Sequence, residues 1–255
     1  MIKSLKNKKV GLALGGGAAL GAAHIGVLRA LEEYGISISH IAGTSIGAFI
    51  AALYAFNMNW KDIEEIAMDM NWLDISRLSL SQYGLLSNDK LGDLIKKHIG
   101  DVDFDQADIH LAMIATDITT GEKVVLSDGD VATAVMASTC VPGVFIPVEI
   151  NDRLLVDGGI VENVPVTTLK EMGADTIVGV DLNAMLSKRK PRNIIEVLLK
   201  TFDFTLMTAT KLQTADADIL IEPDLSSFNM IDSDQVADLI EQGYADAKNV
   251  LKILS

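Results

Sequence analysis

Short apolar runs along the chain alternate with longer stretches in which apolar positions recur every three or four residues, and glycines punctuate the changeovers. Runs of the first kind are strands buried on both faces; the second spacing marks helices that lay one stripe on a core. Residues 10–14 therefore read as a strand running into Gly15-Gly16-Gly17, and residues 21–34 as a helix ending before Gly35. Residues 36–42 read as a second strand broken at Gly43, and residues 45–56, apolar on all sides, as a buried helix. Further strands are expected over 109–118 and 123–126, joined by Thr119-Thr120-Gly121-Glu122, and over 153–156, 176–181 and 219–222. Helices are expected over 131–138, 166–172, 193–212 and 233–254. Strands and helices alternating at this spacing predict an α/β fold, three-layer α/β/α with a mostly parallel central sheet. Ligands in such sheets bind beyond the carboxyl ends of strands, and glycine-containing loops lie at such ends after Leu14, Ala42 and Val156. No internal repeat and no Pro- or Ser-rich linker divides the chain, so residues 1–255 read as one domain.

Composition narrows the class. With 255 residues, 49% hydrophobic and 22% charged, the chain can bury a full core, and collagen-like, disordered and mini-protein readings are excluded. Thirty-five acidic against 21 basic side chains give a net charge of −14, which repels polyphosphate backbones and argues against nucleic acid as a partner. The single cysteine, Cys140, offers neither an internal disulfide nor a thiolate cluster for zinc, and a reducing cytoplasmic location fits best. Residues 10–28 follow Lys3, Lys6, Lys8 and Lys9 and so imitate a secretory signal, but six glycines and His24 inside them make a poor apolar helix. Residues 41–60 are long enough to span a bilayer, yet they begin with a tight glycine turn and carry Asn57 and Asn59. A buried helix entered through that turn is the better reading.

Three loops carry candidate chemistry. Gly43-Thr44-Ser45-Ile46-Gly47 fits G-x-S-x-G, in which flanking glycines let a strained strand-to-helix turn push a serine hydroxyl out above the sheet. The plainer alternative is that Thr44 or Ser45 caps the helix. A nucleophilic serine needs a base, but the histidines are His24, His40, His98 and His110, none of them after Asp157 or in the second half of the chain, where the usual serine–acid–histidine order would put it. That leaves a carboxylate, and Asp157 ends the 153–156 strand, followed by Gly158 and Gly159; its plainer role is to cap a Gly-Gly turn. The loop Gly15 to Gly21 offers consecutive backbone N–H groups near a helix start, suited to a phosphate or to an oxyanion. A dinucleotide fingerprint fails by one residue in each register, the ribose acid is missing between Ile36 and Ile46, and no phosphate-loop lysine motif exists, so no cofactor is expected. Asp101, Asp103 and Asp105 invite a calcium loop, but Gln106 and Ala112 stand where Gly and Glu are required, so no metal is expected and a solvated acidic turn is.

Taken together, the three loops resemble the patatin-like phospholipases, in particular compact bacterial members. The likeness rests on residues 12–28 around Gly15-Gly16-Gly17-Ala18-Ala19-Leu20-Gly21, on Gly43-Thr44-Ser45-Ile46-Gly47-Ala48, and on Asp157-Gly158-Gly159. Ala137-Ser138, Pro142-Gly143, Phe145 and Pro147 fit a further block ahead of the aspartate strand. The resemblance implies Ser45 as nucleophile, Asp157 as its base, and the N–H groups of Gly16, Gly17 and Ala18 as the oxyanion hole. It departs from the family's usual G-G-G-G-A-R-G loop at Ala18 and Leu20. An alanine N–H donates as well as a glycine's only if that position does not require positive φ. The implied activity is that of a serine lipid acyl hydrolase acting on phospholipid, lysophospholipid or related acyl esters, without metal or cofactor. The rival is a non-catalytic lipid-binding or regulatory protein on the same fold. The implied partner is a lipid or acyl ester substrate, with room for transient contact with a membrane surface and for a homodimer.

On the substrate side, Lys188, Arg189, Lys190 and Arg192 precede Ile194, Ile195, Val197, Leu198, Leu199, Phe202, Leu206 and Met207. The pattern suits an interfacial helix, but a helix packed on the sheet or on a second subunit is the better reading. Trp60, Trp72, Leu73, Leu78 and Leu80 are candidates for an acyl pocket or for core.

Overall fold

A computed structural model describes residues 8–70, 77–78, 86–184, 190–229 and 232–254. Its elements in chain order begin with β1 (Val10–Leu14), α1 (Ala22–Glu33), β2 (His40–Thr44), α2 (Ile46–Ala55) and α3 (Trp60–Asp69). The short strands β3 (Arg77–Leu78) and β4 (Leu86–Ser87) precede α4 (Asp89–Ile99), β5 (His110–Asp117), β6 (Lys123–Leu126) and α5 (Val131–Ser138). Then come β7 (Val148–Ile150), β8 (Arg153–Asp157), the single turn α6 (Gly159–Glu162), α7 (Val166–Glu171) and β9 (Thr176–Val180). The chain continues through α8 (Ile194–Thr214), β10 (Ile219–Ile221) and α9 (Val236–Leu254).

Among the described residues the main sheet has eight strands in the order β10-β9-β1-β2-β5-β8-β7, with β6 beside β5. The run from β10 to β5 is parallel, and β6, β7 and β8 are antiparallel additions. Period-two alternation sorts the strand residues into two layers of core. Leu12, Leu14, Val178 and Val180 join the larger one, which takes in α1, α2, α5 and α9. Ala13, Ala42, Ala112 and Ile177 face the other side, where Val164 and the α7 residues Val166 and Leu169 close a thinner core. This is the three-layer α/β/α arrangement that the alternation predicts. Each Leu or Ile buried in it is stabilising by roughly 2 kcal/mol relative to exposure.

The order of strands also decides where a ligand belongs. From β1 the sheet grows through β2 and β5 on one side and through β9 and β10 on the other. The carboxyl ends of β1 and β9 therefore flank the crevice where the strand order reverses, the place where open α/β sheets bind ligands.

The structure departs from the hydrophobic pattern in places, the short strands β3, β4 and β7 among them. The second strand lies at His40–Thr44 and continues through Gly43, because that residue is paired on both edges, with Leu14 and with Met113. Helices α3 and α4 occupy a stretch to which no element is assigned above, since each lays only a narrow stripe on the core: Ile63, Ile66 and Ala67 in one, Leu91, Gly92 and Ile95 in the other. A capping box between Asn59 and Asp62 starts α3. Asp103 likewise caps a single turn at Phe104–Gln106, so the acidic stretch is a turn. Residues 10–28 fold as β1, the glycine loop and α1. The buried helix expected after Gly43 is the ten-residue α2, and among the described residues no helix is long and apolar enough to cross a membrane.

Candidate active site

β2 ends at Thr44, and the next residue, Ser45, has φ 55° and ψ −126°. A non-glycine residue held there stores on the order of 1–3 kcal/mol of strain, which the surroundings must impose. They do so by crowding: a Cβ on Gly47 would stand 2.1 Å from the Leu14 carbonyl oxygen, and one on Gly43 would stand 2.3 Å from that of Gly47. Both glycines of the G-x-S-x-G pattern are thus required by contact. Two hydrogen bonds tie the turn from outside. The Ser45 N–H donates to Ser138 Oγ at 3.0 Å, whose hydroxyl donates to the Ile114 carbonyl at 2.6 Å. The Thr44 hydroxyl donates to the Glu162 carbonyl at 2.8 Å.

Register brings Asp157 to the same spot. β2 and β6 pair opposite edges of β5 at Met113 and Ile114, and β6 still pairs its edge at Ala115 and Thr116. β8 therefore takes the edge that β2 vacates, with Asp157 opposite Ala115, one residue beyond the Thr44 partner Ile114. The chain then turns sharply at Gly158, where a Cβ would stand 2.2 Å from the Ile114 carbonyl oxygen. Gly159 N–H donates to Asp157 Oδ1 at 2.8 Å, whereas Oδ2 is buried with no hydrogen-bond partner. Asp157 is 1% exposed and Ser45 9%. Burial pushes the Asp157 carboxyl up to about 6, against opposing pulls from the Ser45 hydroxyl and the Gly159 N–H. A buried carboxylate titrating near neutrality beside a strained serine has the chemistry of a proton acceptor.

The glycine loop after β1 completes the cluster, and its peptides are held one by one. His24 Nε2 lies 2.8 Å from the Gly15 carbonyl, which only accepts, so the neutral ring carries its proton on Nε2. Burial lowers its pKa to about 4. Gly16 N–H donates to Asn163 Oδ1 at 3.2 Å, and the Gly16 carbonyl accepts from Asn183 Nδ2 at 3.0 Å. The Gly17 carbonyl accepts from Leu20 N–H at 3.1 Å. Among the described residues none accepts a hydrogen bond from the N–H of Gly17 or Ala18. Ala18 has φ 50°, so this position does require the left-handed region, and its alanine is strained by roughly 1 kcal/mol where a glycine is not. Leu20, where the family's loop usually carries arginine, is buried in the main core at 6% exposure and presents no charge.

Six buried side-chain polar atoms lack a partner among the described residues, and four of them cluster here: His24 Nδ1, Asp157 Oδ2, Asn163 Nδ2 and Asn183 Oδ1. Native interiors pair such groups, so their concentration around the glycine loop and Asp157 marks a site rather than ordinary core. Its apolar wall comes from α8 and the 141–145 segment. A Cβ on Gly159 would meet Leu206 at 2.9 Å and Phe202 at 3.3 Å, and Val141, Val144 and Leu199 pack together beside them.

The sequence-predicted residues Gly16, Gly17, Ala18, Ser45 and Asp157 thus share one cluster, with Gly16 N–H already engaged by Asn163. His40 and His110 stack with ring centroids 4.9 Å apart at the far ends of β2 and β5, and His98 lies on α4. The anchoring roles of His24, Asn163 and Asn183 escape the motif reading, although each stands beside an element it would point to: the start of α1, the turn after Asp157-Gly158-Gly159 and the end of β9. Trp60 is not in the cluster and packs beneath the Arg29 guanidinium, 5.0 Å from the ring centre. Trp72, Leu73, Leu80, Lys188 and Arg189 lie outside the described residues, as do the side chains of Leu78 and Ile195.

Residues 12–170 match the family described as patatin-like phospholipase. An uncharacterised NTE family protein of Mycobacterium tuberculosis is 36% identical over 185 residues, covering 71% of this chain and 51% of its own. Lysophospholipase NTE1 of Candida glabrata is 33% identical over 196 residues, covering 72% of this chain and 11% of its own. The chain spans about half the length of the mycobacterial relatives it matches. Among solved structures, VipD from Legionella pneumophila superposes with a TM-score of 0.59 at 15% identity, covering 96% of this chain and 67% of that one. At that identity the likeness is one of fold.

Proposed function

The chain belongs to the patatin-like phospholipase family, and from that premise we propose that it is a serine lipid acyl hydrolase working through a Ser45–Asp157 dyad. The observation that carries this reading is the pairing of a strained elbow serine with a buried carboxylate whose Oδ2 is unpartnered and whose pKa stands near neutrality. The Ser45 Oγ proton passes to Asp157 Oδ2 as Oγ attacks the ester carbonyl carbon. Negative charge gathers on the carbonyl oxygen, which receives the N–H groups of Gly17 and Ala18. Gly16 N–H joins them by exchanging its long bond to Asn163 for the oxyanion. Collapse of the tetrahedral intermediate breaks the ester C–O bond, and the departing alcohol takes the proton from Asp157. Water then adds to the acyl-serine, giving its proton to the same carboxylate. The second collapse returns that proton to Ser45 and frees the fatty acid.

The substrate class is carried by the apolar wall of Phe202, Leu206, Leu199 and Val144, which suits an acyl chain, and by the lysophospholipase named among the relatives. Outward from that wall, α8 exposes Ile194, Val197, Phe204 and Leu212 on one face, with exposed Lys190 and Arg192 before it. We assign transient contact with a lipid surface to this face. The test is hydrolysis of lysophosphatidylcholine and diacyl phosphatidylcholine, followed by fatty-acid release, with Ser45→Ala as control. Release that disappears in a folded Ser45→Ala protein supports the reading. Lipid binding without release in the wild type favours a lipid-binding protein on the same fold.

A further inference from the structure

Asn183 follows β9 and has no place in the motifs that point to the dyad. Its backbone N–H donates to Asp181 Oδ1 at 2.9 Å, which pins the residue at the strand end. Its side chain, 94% buried by exposure of 6%, reaches across the reversal point of the sheet and donates from Nδ2 to the Gly16 carbonyl at 3.0 Å. The carbonyl only accepts, so the amide nitrogen must face it. A trans peptide holds its C=O and N–H antiparallel. The 16–17 peptide therefore aims its N–H, which belongs to Gly17, directly away from Asn183. β1 lies between β9, which Asn183 follows, and β2, which Ser45 follows. Away from Asn183 is thus toward Ser45, whose Cβ lies 3.2 Å from where a Cβ on Gly16 would be.

We propose that Asn183 is a positioning residue for acyl transfer: by clamping the Gly16 carbonyl it points the Gly17 N–H at the oxyanion formed on Ser45. The inference rests on the acyl hydrolase reading above and extends it to a residue outside the family's three loops. Asn163 holds Gly16 N–H in the resting site, and once that N–H turns to the oxyanion the Asn183 bond to the Gly16 carbonyl is what keeps the 16–17 peptide from flipping. With the clamp gone, that peptide rotates, and the donor is lost from the transition state while ground-state binding of the acyl chain by the α8 wall is untouched.

The test uses Asn183→Ala and the near-isosteric Asn183→Leu, neither of which can donate. For each, kcat and KM are measured on a soluble p-nitrophenyl acyl ester, together with the rate at which a fluorophosphonate labels Ser45 and the melting temperature. Loss of a whole oxyanion donor lowers kcat by about 10²–10³; a misaimed donor is expected to lower kcat and the labelling rate by about tenfold to a hundredfold, with KM within twofold. Wild-type kcat and labelling in either folded variant overturn the inference while leaving the dyad standing. A parallel rise in KM in both variants also overturns it, since that is the mark of a disturbed pocket. If wild-type protein is not labelled at Ser45 at all, it is the acyl hydrolase reading that fails, and this inference falls with it. Should Asn183→Ala not fold, Asn183→Leu decides, because it keeps the side chain's volume, adds no charge and removes the donor.

Discussion

Replacing Asp157 with asparagine is expected to abolish hydrolysis and, above neutral pH, to make the protein more stable. The side chain is 1% exposed, and burial raises its pKa from 3.8 to about 6. A raised carboxyl binds its proton more tightly in the folded chain than in the unfolded one, so stability is full below pH 4 and falls as pH rises through 6. At about 1.4 kcal/mol per pKa unit, the loss amounts to about 3 kcal/mol at pH 8. Asparagine has no charge to desolvate. Its Oδ1 keeps the bond from Gly159 N–H, and its Nδ2 can donate to Ser45 Oγ. The difference in unfolding free energy between Asp157→Asn and wild type should therefore grow by about 3 kcal/mol in favour of the variant between pH 4 and pH 7. For a chain of this size that corresponds to roughly 6–12 °C in Tm. Urea titrations followed by circular dichroism across this range measure it, and subtracting the two curves removes every group they share, as well as any pH-independent effect of the substitution. A difference that stays flat across the window would refute the claim that Asp157 is held in a desolvated state.

Other outcomes follow from the same geometry. The wild-type kcat/KM should fall about tenfold per pH unit below pH 6, because only ionised Asp157 can take the serine proton; a profile flat down to pH 5 contradicts that role. His24 opposes Asp157 in the stability profile: with its pKa lowered to about 4, it loses stability as pH falls from 6.5, so in His24→Gln stability should decline from pH 4 to about 6 and then level off in urea titrations. Ala18→Gly relieves a positive φ and should raise stability by up to about 0.5 kcal/mol after allowing for the looser unfolded chain; a lower Tm would contradict the strain argument. Ser138→Ala strands the buried Ser45 N–H and should cost about 1–3 kcal/mol in unfolding free energy, with kcat falling more than KM changes.

How much of this was legible in the chain depends on what each residue contacts. Parallel strands buried on both faces leave uninterrupted apolar runs, so β1, β5 and β9 are plain in sequence. The elbow and the Asp157 turn are legible because backbone crowding forces glycine at Gly43, Gly47 and Gly158. Helices α3 and α4 hide because three buried positions in ten or eleven residues are too few to show a period. The positive φ at Ala18 is invisible because alanine itself gives no sign of it. Asn183 and His24 stay hidden for a different reason: their work is done on backbone carbonyls 167 and 9 residues away, and pairing across the sheet leaves no local pattern.

The central claim, an activated serine in the β2–α2 turn, is tested most directly by treating the purified chain with a fluorophosphonate and mapping the adduct by mass spectrometry. The account predicts one adduct, on Ser45, absent from Ser45→Ala and strongly slowed in Asp157→Asn although both variants fold. A folded wild-type protein that takes no label on Ser45, or takes it as fast without Asp157 as with it, would contradict the dyad.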